Sequence, residues 1–541
     1  MPTYPNETAQ GDLPPLLIVG AGPVGLMMAC ELARHGVPCR IIDQAAERSQ
    51  TSKALGVFPR TLEVFEATGV IDQALAAGTK IFALNIRHGE KELVRIDLST
   101  VASPYPFVFS LPQSETERIL IEHLDSLGVE VERNLELTGL TQTDTSVQAL
   151  VRHADGRAET IETPWLLGCD GAHSATRHAL GMEFEGAPYD ESFVLADVRA
   201  ESSLPKNEIH LFFSDEGLFA LFPFKGERAR LIANIPPESR EQDLPEPTME
   251  DMQRIAERRG PRDLRVSDAV WISRFHISHR KVADFRKIRV FLAGDAAHIH
   301  SPAGGQGMNT GIQDSFNLAW KLALVVRGRA PAALLASYSS EREPIAKGVL
   351  NLTDRITRFA TITNPVAKTA RDLLLPLVTG IDFLEEKFAD RISELTVNYR
   401  SSTIVENHGK GAVRAGDRAP DGELRDASGR SRRLFELFHE PGHHLLCFLG
   451  NGARDPGVVP DLGTEMPVLR IARGLGLTSA GELRDITGAV HANYDLLGGG
   501  LIVVRPDGYI GFRSERFDFA ALQNYLGKIF TSARAGEATH G

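Results

Sequence analysis

The chain's 541 residues give room for about three domains, each with its own core. With 42% hydrophobic and 24% charged residues, the composition is that of a soluble globular protein. The formal net charge of −12 argues against a nucleic-acid partner, which would need a basic surface to displace counterions.

Residues 1–13 are polar and are expected to lack structure. The apolar run Leu16-Leu17-Ile18-Val19 then feeds Gly20-Ala21-Gly22-Pro23-Val24-Gly25. This reads as a buried strand, a tight turn and the first turn of a helix. Gly20 allows the turn, Gly22 lets backbone approach a diphosphate, and Gly25 lets the helix pack on the strand. The helix N-terminus would face the phosphate charge. That helix runs to about Arg34, Gly36 ends it, and a second strand, Cys39 to Ile42, ends in Asp43. An acid about 20 residues past such a turn is placed to bond a ribose hydroxyl, so the unit is a dinucleotide site for NAD or FAD.

A helical segment is predicted around Arg60 to Phe65, strands between Phe82 and Ile96, and a helix opening at Pro112-Gln113. A hairpin from Val147 to Ile161 leads into a second buried strand, Trp165 to Gly168, and the turn Cys169-Asp170-Gly171 with Ser174 and Arg177. From about 187 to 283 strand-like runs replace helices, with turn signals between them, which reads as an antiparallel sheet. Phe212, Phe213, Phe219, Phe222 and Phe224 concentrate there; core packing and the lining of a pocket for a flat apolar ligand both stay open, on different faces.

At Ile288 to Asp295 a further buried strand appears, followed by the glycine-rich loop Ser301 to Asn309 and helix from about Thr310 to Val326. More helix is predicted from about Pro331 to Phe359 and over 366–397. A flavin dinucleotide, unlike NAD alone, calls for a second acidic strand end, because its ribityl hydroxyls donate to a carboxylate; Gly294-Asp295 provides one. Pro302 stiffens the loop, Gly304, Gly305 and Gly307 let backbone reach a ligand, and the helix starting near Met308 turns its positive end toward it. After a Gly/Asp/Arg/Pro-rich boundary, residues 412–541 read as a small α/β unit with strands near 445–449, 468–471, 501–505 and 510–512 and a last helix from Phe519 to Phe530. Cys30, Cys39, Cys169 and Cys447 form no C-x-x-C pair, which excludes a zinc ribbon and fits a reducing, cytoplasmic setting. No secretory signal and no bilayer-spanning run of ~20 residues is expected. His443 and His444, adjacent on a strand, point to opposite faces, so no metal is expected.

Three motifs together, Gly20 to Gly25, Cys169-Asp170-Gly171 to Arg177, and Gly294-Asp295-Ala296-Ala297-His298 to Asn309, resemble the single-component FAD-dependent aromatic hydroxylases, the family of p-hydroxybenzoate and phenol hydroxylases. The chain is most similar to the longer pentachlorophenol-hydroxylase-like and polyketide-hydroxylase-like members. The resemblance implies a Rossmann-like α/β FAD-binding domain (14–78, 111–186 and 284–345), an α+β antiparallel-sheet substrate domain (79–110 and 187–283), connecting helices (346–400) and a thioredoxin-like C-terminal domain lacking the thiol pair. That last module reads as structural, a dimer surface or lid support, in a monomer or homodimer.

In that family Gly20, Gly22 and Gly25 would hold the diphosphate, Asp43 the adenosine ribose, Gln113 the FAD, and Asp295 the ribityl chain. Backbone at Gly307, Met308 and Asn309 would meet the isoalloxazine. Asp170 would serve FAD and reduced nicotinamide, or hold the loop for Arg177. Lys53 stands where many members have an arginine and would meet phosphate only as a point charge. NADH or NADPH would reduce the flavin, dioxygen would add at C4a, and the hydroperoxide would hydroxylate a phenolic or polycyclic aromatic ring. Pro302 would lie beside the flavin near the substrate. A phenol needs a base or hydrogen-bond partner; Leu55 occupies the place of the family's acid, and Tyr105 and Tyr189 lie in or beside the substrate region, which leaves His210, His276 and His279 as candidates, His210 first, with a structural or solvated role open for each. Arg230 and Arg274 could bind a substrate carboxylate, with exposed strand positions the default expectation for both. Another flavin oxidoreductase on this scaffold (epoxidase, Baeyer–Villiger-type oxygenase, reductase) and a non-catalytic FAD-holding protein remain open alternatives.

Overall fold

A computed structural model describes residues 13–51, 54–235, 246–300, 305–360, 389, 391–450, 466–474 and 481–531. The run Leu16–Val19, at most 5% exposed, lies inside a six-stranded sheet. Leu166–Gly168 and then Val290–Leu292 lie on one side of it, Cys39–Asp43 and then Val131–Arg133 on the other, all parallel; Arg286–Lys287 closes one edge antiparallel. Parallel strands need both faces covered, which is why these read as unbroken apolar runs. The three strands that end in the glycine motifs are immediate neighbours, with Val19 opposite Gly168 and Gly168 opposite Leu292. Their carboxyl ends therefore open on one crevice, the place where ligands bind such sheets.

Helices Pro23–Arg34 and Gly307–Val326 pack against each other on this sheet. The approach is close: Ser315 Oγ donates to the Val24 carbonyl at 2.8 Å, and a Cβ on Gly311 would stand 2.6 Å from Val24 Cγ2. The second helix begins at Gly307, three residues earlier than the sequence suggests.

An eight-stranded sheet runs His298–Ile299, Arg265–Lys281, Glu185–Glu201, Arg228–Ile235, Gly217–Pro223, Glu208–Ser214, Ala83–His88, Lys91–Asp97, antiparallel except where Glu208–Ser214 meets Ala83–His88. One face packs on helix Met249–Arg259 through Phe212, Phe219, Leu231, Met252 and Ala256. The other carries Ile209 and Phe222 toward Phe58 and Val108. Helix Met249–Arg259 was not legible as a helix in this strand-rich stretch, although Thr248 and Asp251 cap it reciprocally, at 3.3 and 2.9 Å.

A third sheet, also eight-stranded, takes up Glu406–His408 and most of the chain beyond, with helix Phe519–Ile529 on one face. Trp320, from the helix Gly307–Val326, is part of the core of this C-terminal sheet together with Cys447, Leu501 and Phe512. The helices predicted over 366–397 lie mostly outside the described residues. Among the described residues no helix is long and apolar enough to cross a membrane.

Ile288, in the tight connection into Val290–Leu292, has φ 53° and is 48% exposed. A β-branched residue in the left-handed region costs about 1–2 kcal/mol, whereas Asn tolerates it. Ile288→Asn is therefore expected to raise the thermal midpoint, read by scanning fluorimetry.

Candidate functional site

The first turn is fixed by contacts that only glycine permits. Gly20 has φ 101°, and a Cβ there would meet the Cys169 carbonyl oxygen at 2.5 Å; one on Gly25 would meet the Gly20 oxygen at 1.9 Å. Gly22 differs: a Cβ on it meets nothing within 4 Å, so its backbone lines open space at the helix N-terminus. Asp43 props this turn from the next strand, its Oδ2 accepting from Ala21 N at 2.7 Å and its Oδ1 from Ala45 N at 2.8 Å. Arg133, on a strand the sequence reading missed, stands 3.8 Å from Asp43. Outward of this pair a cleft of about 620 Å³ is lined by Arg48, Ile121, Val131 and Arg133.

The second motif is a latch. Asp170 accepts from Ser174 Oγ (2.6 Å), Thr176 N (2.9 Å) and Thr176 Oγ1 (3.0 Å). Ser174 Oγ in turn caps Arg177 N at 2.9 Å. Arg177 reaches the Ala296 carbonyl at 3.3 Å and Ala172 at 3.0 Å, tying this turn to the one at Gly294–Ala296. Of the two roles open to Asp170, the geometry displays the loop-holding one.

In the third motif Asp295 is exposed on the outside of that turn, while Gly294 N donates to Asp314 Oδ2 at 3.0 Å. Asn309 is fully buried and its amide is fully committed, accepting from Phe58 N at 2.9 Å and donating to the Gly56 and Gly305 carbonyls at 2.8 and 3.0 Å. It knits the loop end to strand Gly56–Val57, leaving its own backbone N–H and those of Gly307 and Met308 for a ligand. Gln113 brackets Ala54, accepting from its N at 3.3 Å. Lys53 and Pro302 lie outside the described residues, as do the side chains of Tyr189 and His276.

Several sequence expectations change. His210 is fully buried on the strand face of Phe212, the face packed on helix Met249–Arg259, with Nε2 turned to the Pro205 carbonyl at 3.2 Å. Burial holds its imidazole below the ordinary range. That face points away from the glycine turns, so His210 receives no catalytic role. Arg230 is not an exposed strand position: it is 1% exposed and paired with Asp197 at 2.7 and 2.8 Å. Tyr105 shares Glu66 with Arg433 at the seam with the C-terminal sheet, and burial pushes its hydroxyl up.

Asp314 lies buried on the helix Gly307–Val326. The structure makes it the buried centre of the third motif: it accepts from Gly294 N, from Arg342 Nε at 2.6 Å and from His298 Nε2 at 2.7 Å. Burial alone would push its carboxyl up, but Arg342 and His298 outweigh that and hold it below the usual range. A His and an Asp sixteen positions on, across a loop into a helix, were the available signal.

Glu394 is also buried, with φ 60°, and accepts from Gln313 on the helix Gly307–Val326. Burial raises its carboxyl to about 8. Between the unfolded value near 4.3 and about 8 the folded chain holds one more proton than the unfolded one, so stability falls as pH rises through that window. Glu394→Gln is expected to raise the unfolding midpoint at pH 8 and to leave it unchanged near pH 4, in parallel thermal melts.

The site as a whole suits an anionic dinucleotide. Two helices that pack against each other start here, at Pro23 and at Gly307, and neither N-terminus has a side-chain cap. Each uncapped N-terminus carries partial positive charge that an anion satisfies. The open backbone at Gly22 and the acid at the end of the second strand complete a fit to FAD.

Comparison with known proteins gives the same group. The FAD binding domain family matches residues 14–353. The chain is 33% identical to 6-methylpretetramide 4-monooxygenase of Streptomyces rimosus, over 94% of this chain and 92% of that one. It is 32% identical to pentachlorophenol 4-monooxygenase of Sphingobium chlorophenolicum, over 95% and 96%. The solved structure of the anhydrotetracycline hydroxylase OxyS from Streptomyces rimosus superposes with a TM-score of 0.77 at 31% identity, covering 96% of this chain and 99% of that one. Uncapped helix ends over three aligned strand ends, and sequence kinship along the whole length, converge on one conclusion: the chain belongs to the FAD-binding-domain family of flavin-dependent aromatic monooxygenases.

Proposed function

We propose that this enzyme hydroxylates a phenolic, flat polycyclic aromatic compound, consuming reduced nicotinamide and dioxygen. The observation that carries this substrate class is the face of the eight-stranded sheet opposite helix Met249–Arg259, where Ile209, Leu211 and Phe222 turn toward Phe58, whose ring stands 3.5 Å from a Cβ built on Gly305. An apolar wall beside the glycine-rich loop suits a ring system and excludes water.

Bound FAD supplies electron transfer from reduced nicotinamide to dioxygen and delivery of one oxygen atom to the ring. The chain's own residues bind and orient. Gly20, Gly22 and Gly25 would cradle the diphosphate, Asp43 would accept from the adenosine ribose with its remaining lone pairs, and Asp295 from the ribityl hydroxyls. The N–H groups of Gly307, Met308 and Asn309 would face the isoalloxazine, Gln113 and Lys53 the rest of the cofactor, and Pro302 the substrate side. The C-terminal sheet, read as thioredoxin-like without a thiol pair, supports the helix Gly307–Val326. A reducing cytoplasm suits the four unpaired cysteines.

The test is a panel of phenols, naphthols and hydroxylated anthraquinones, assayed with NADH and NADPH under labelled dioxygen. We expect at least one polycyclic phenol to stimulate nicotinamide oxidation and to gain one labelled oxygen atom. Nicotinamide oxidation yielding only peroxide across the panel, with no labelled product, would overturn the reading.

A further inference from the structure

Strand His298–Ile299 is the last strand of the eight-stranded sheet, and the chain leaves it at His300, where that sheet meets the helix Gly307–Val326. The His300 ring is half-buried there, with Nδ1 and Cε1 each 3.6 Å from a Cβ built on Gly307, the first residue of the helix. Its Nε2 lies 3.1 Å from His298 Nδ1, and the two rings stack at 5.1 Å. His298 Nε2 lies 2.7 Å from Asp314 Oδ2.

With Asp314 ionised and His298 neutral, this chain of bonds sets the proton positions. Ionised Asp314 only accepts, so His298 carries its proton on Nε2. Neutral His298 then accepts at Nδ1, so His300 donates from Nε2 and presents a bare Nδ1 lone pair. That nitrogen has no protein partner among the described residues. We propose that His300 is the base that accepts the phenolic proton of the substrate, with His298 and Asp314 as the positioning residues behind it. The proposal rests on the aromatic-hydroxylation reading above.

The step balances. The substrate O–H bond breaks and a His300 Nδ1–H bond forms; the His300 Nε2–H bond breaks and a His298 Nδ1–H bond forms. A neutral phenol becomes phenolate, and the positive charge comes to rest on His298, against the Asp314 carboxylate. Burial, with His298 beside it, pushes the His300 imidazole down to about 3, so the charge belongs on the inner ring, not the outer one. The charged and titratable groups around the chain are Asp314, Arg342 bonded to it, Glu394 near both, Tyr338, Tyr399 and Cys169, and Arg280 and Lys281 on the strand paired with His298–Ile299, with Phe285 stacked on His298 at 5.5 Å. Tyr338 donates to the Leu292 carbonyl at 2.8 Å and Tyr399 accepts from Arg342 at 2.8 Å, so neither tyrosine competes for the proton.

The test compares FAD-loaded wild type with His300→Gln and His300→Ala on phenols and naphthols of graded acidity, ending in 4-nitrophenol. FAD content and its dissociation, followed by flavin fluorescence, establish that each variant keeps the site. On the least acidic compounds kcat/KM is expected to fall by about 100-fold or more. The loss should shrink as the phenol becomes more acidic, and at a pH where the compound ionises in solution. Absorbance titration should show the bound nitrophenol as phenolate in wild type and as phenol in the variants. An equal loss along the whole series, or none, overturns the role of His300 while leaving the aromatic reaction in place. If the wild type turns over no phenol, the reaction assignment itself falls, and the base with it.

Discussion

Asp507→Ala is expected to destabilise the protein by roughly 3–5 kcal/mol and to release FAD at a lower temperature. Asp507 belongs to the hairpin turn between Gly500–Val504 and Ile510–Ser514, far along the chain from the cofactor motifs. Its carboxylate nevertheless accepts from Trp320 Nε1 and Asn317 Nδ2, both at 3.2 Å, and from Arg505 Nε at 3.0 Å. Its backbone carbonyl accepts from Arg60 at 2.6 Å. Arg505 grips both oxygens of Glu341, at 2.7 and 2.9 Å, and Lys321 joins Glu341 at 2.7 Å. These four charged side chains are at most 2% exposed, and two cations balance two anions. Removing one carboxylate leaves an uncompensated buried positive charge and orphans the Trp320 indole donor, while the Asn317 amide keeps Glu341. Because Asn317, Trp320 and Lys321 lie on the helix that begins at Gly307, loss of this joint is felt at the flavin end. Thermal release of flavin fluorescence, alongside urea unfolding, reads both effects. An unchanged release temperature would mean that the C-terminal sheet is only appended to the cofactor domain, as a dimer surface or lid support would be.

None of that joint could be read from the chain. Pro506-Asp507-Gly508 announces a turn, and nothing local says that its carboxylate plugs a helix nearly two hundred positions away. The same holds for Arg342 on Asp314. Local signals fared better. The glycine turn, the strands that flank it and the two neighbouring strands that end in the other glycine motifs are legible because each is encoded by a short period or by a backbone requirement at one residue; the edge strand Val131–Arg133 is not. The helix Met249–Arg259 escaped because its apolar contacts are few, Met252 and Ala256 among them, in a run otherwise polar and charged. His210 failed for a different reason. The period of two puts it on the side of Phe212, but no sequence pattern says which side of a sheet faces the cofactor when both faces are apolar. His300 was overlooked because its chemistry depends on Asp314, which only the folded loop brings to His298.

Two neighbouring glycines should separate folding from cofactor binding. Gly25→Ala is expected to damage the fold: its Cβ would stand 1.9 Å from the Gly20 carbonyl oxygen, and backbone on both sides would have to move. Such overpacking costs on the order of 1–3 kcal/mol, so the apo-protein itself should melt earlier and FAD should not be retained. Gly22→Ala meets nothing within 4 Å in the protein, so the apo-protein should melt as the wild type does. The added methyl group occupies the space left for the ligand and pushes the diphosphate off the first-turn N–H groups. Each charge-assisted hydrogen bond lost there is worth roughly 1.5–3 kcal/mol, which is about 10- to 100-fold in FAD affinity. Equilibrium titration of apo-protein with FAD, paired with apo-protein melts, gives both numbers for both variants. If Gly22→Ala binds FAD as tightly as wild type, the diphosphate does not lie against this turn.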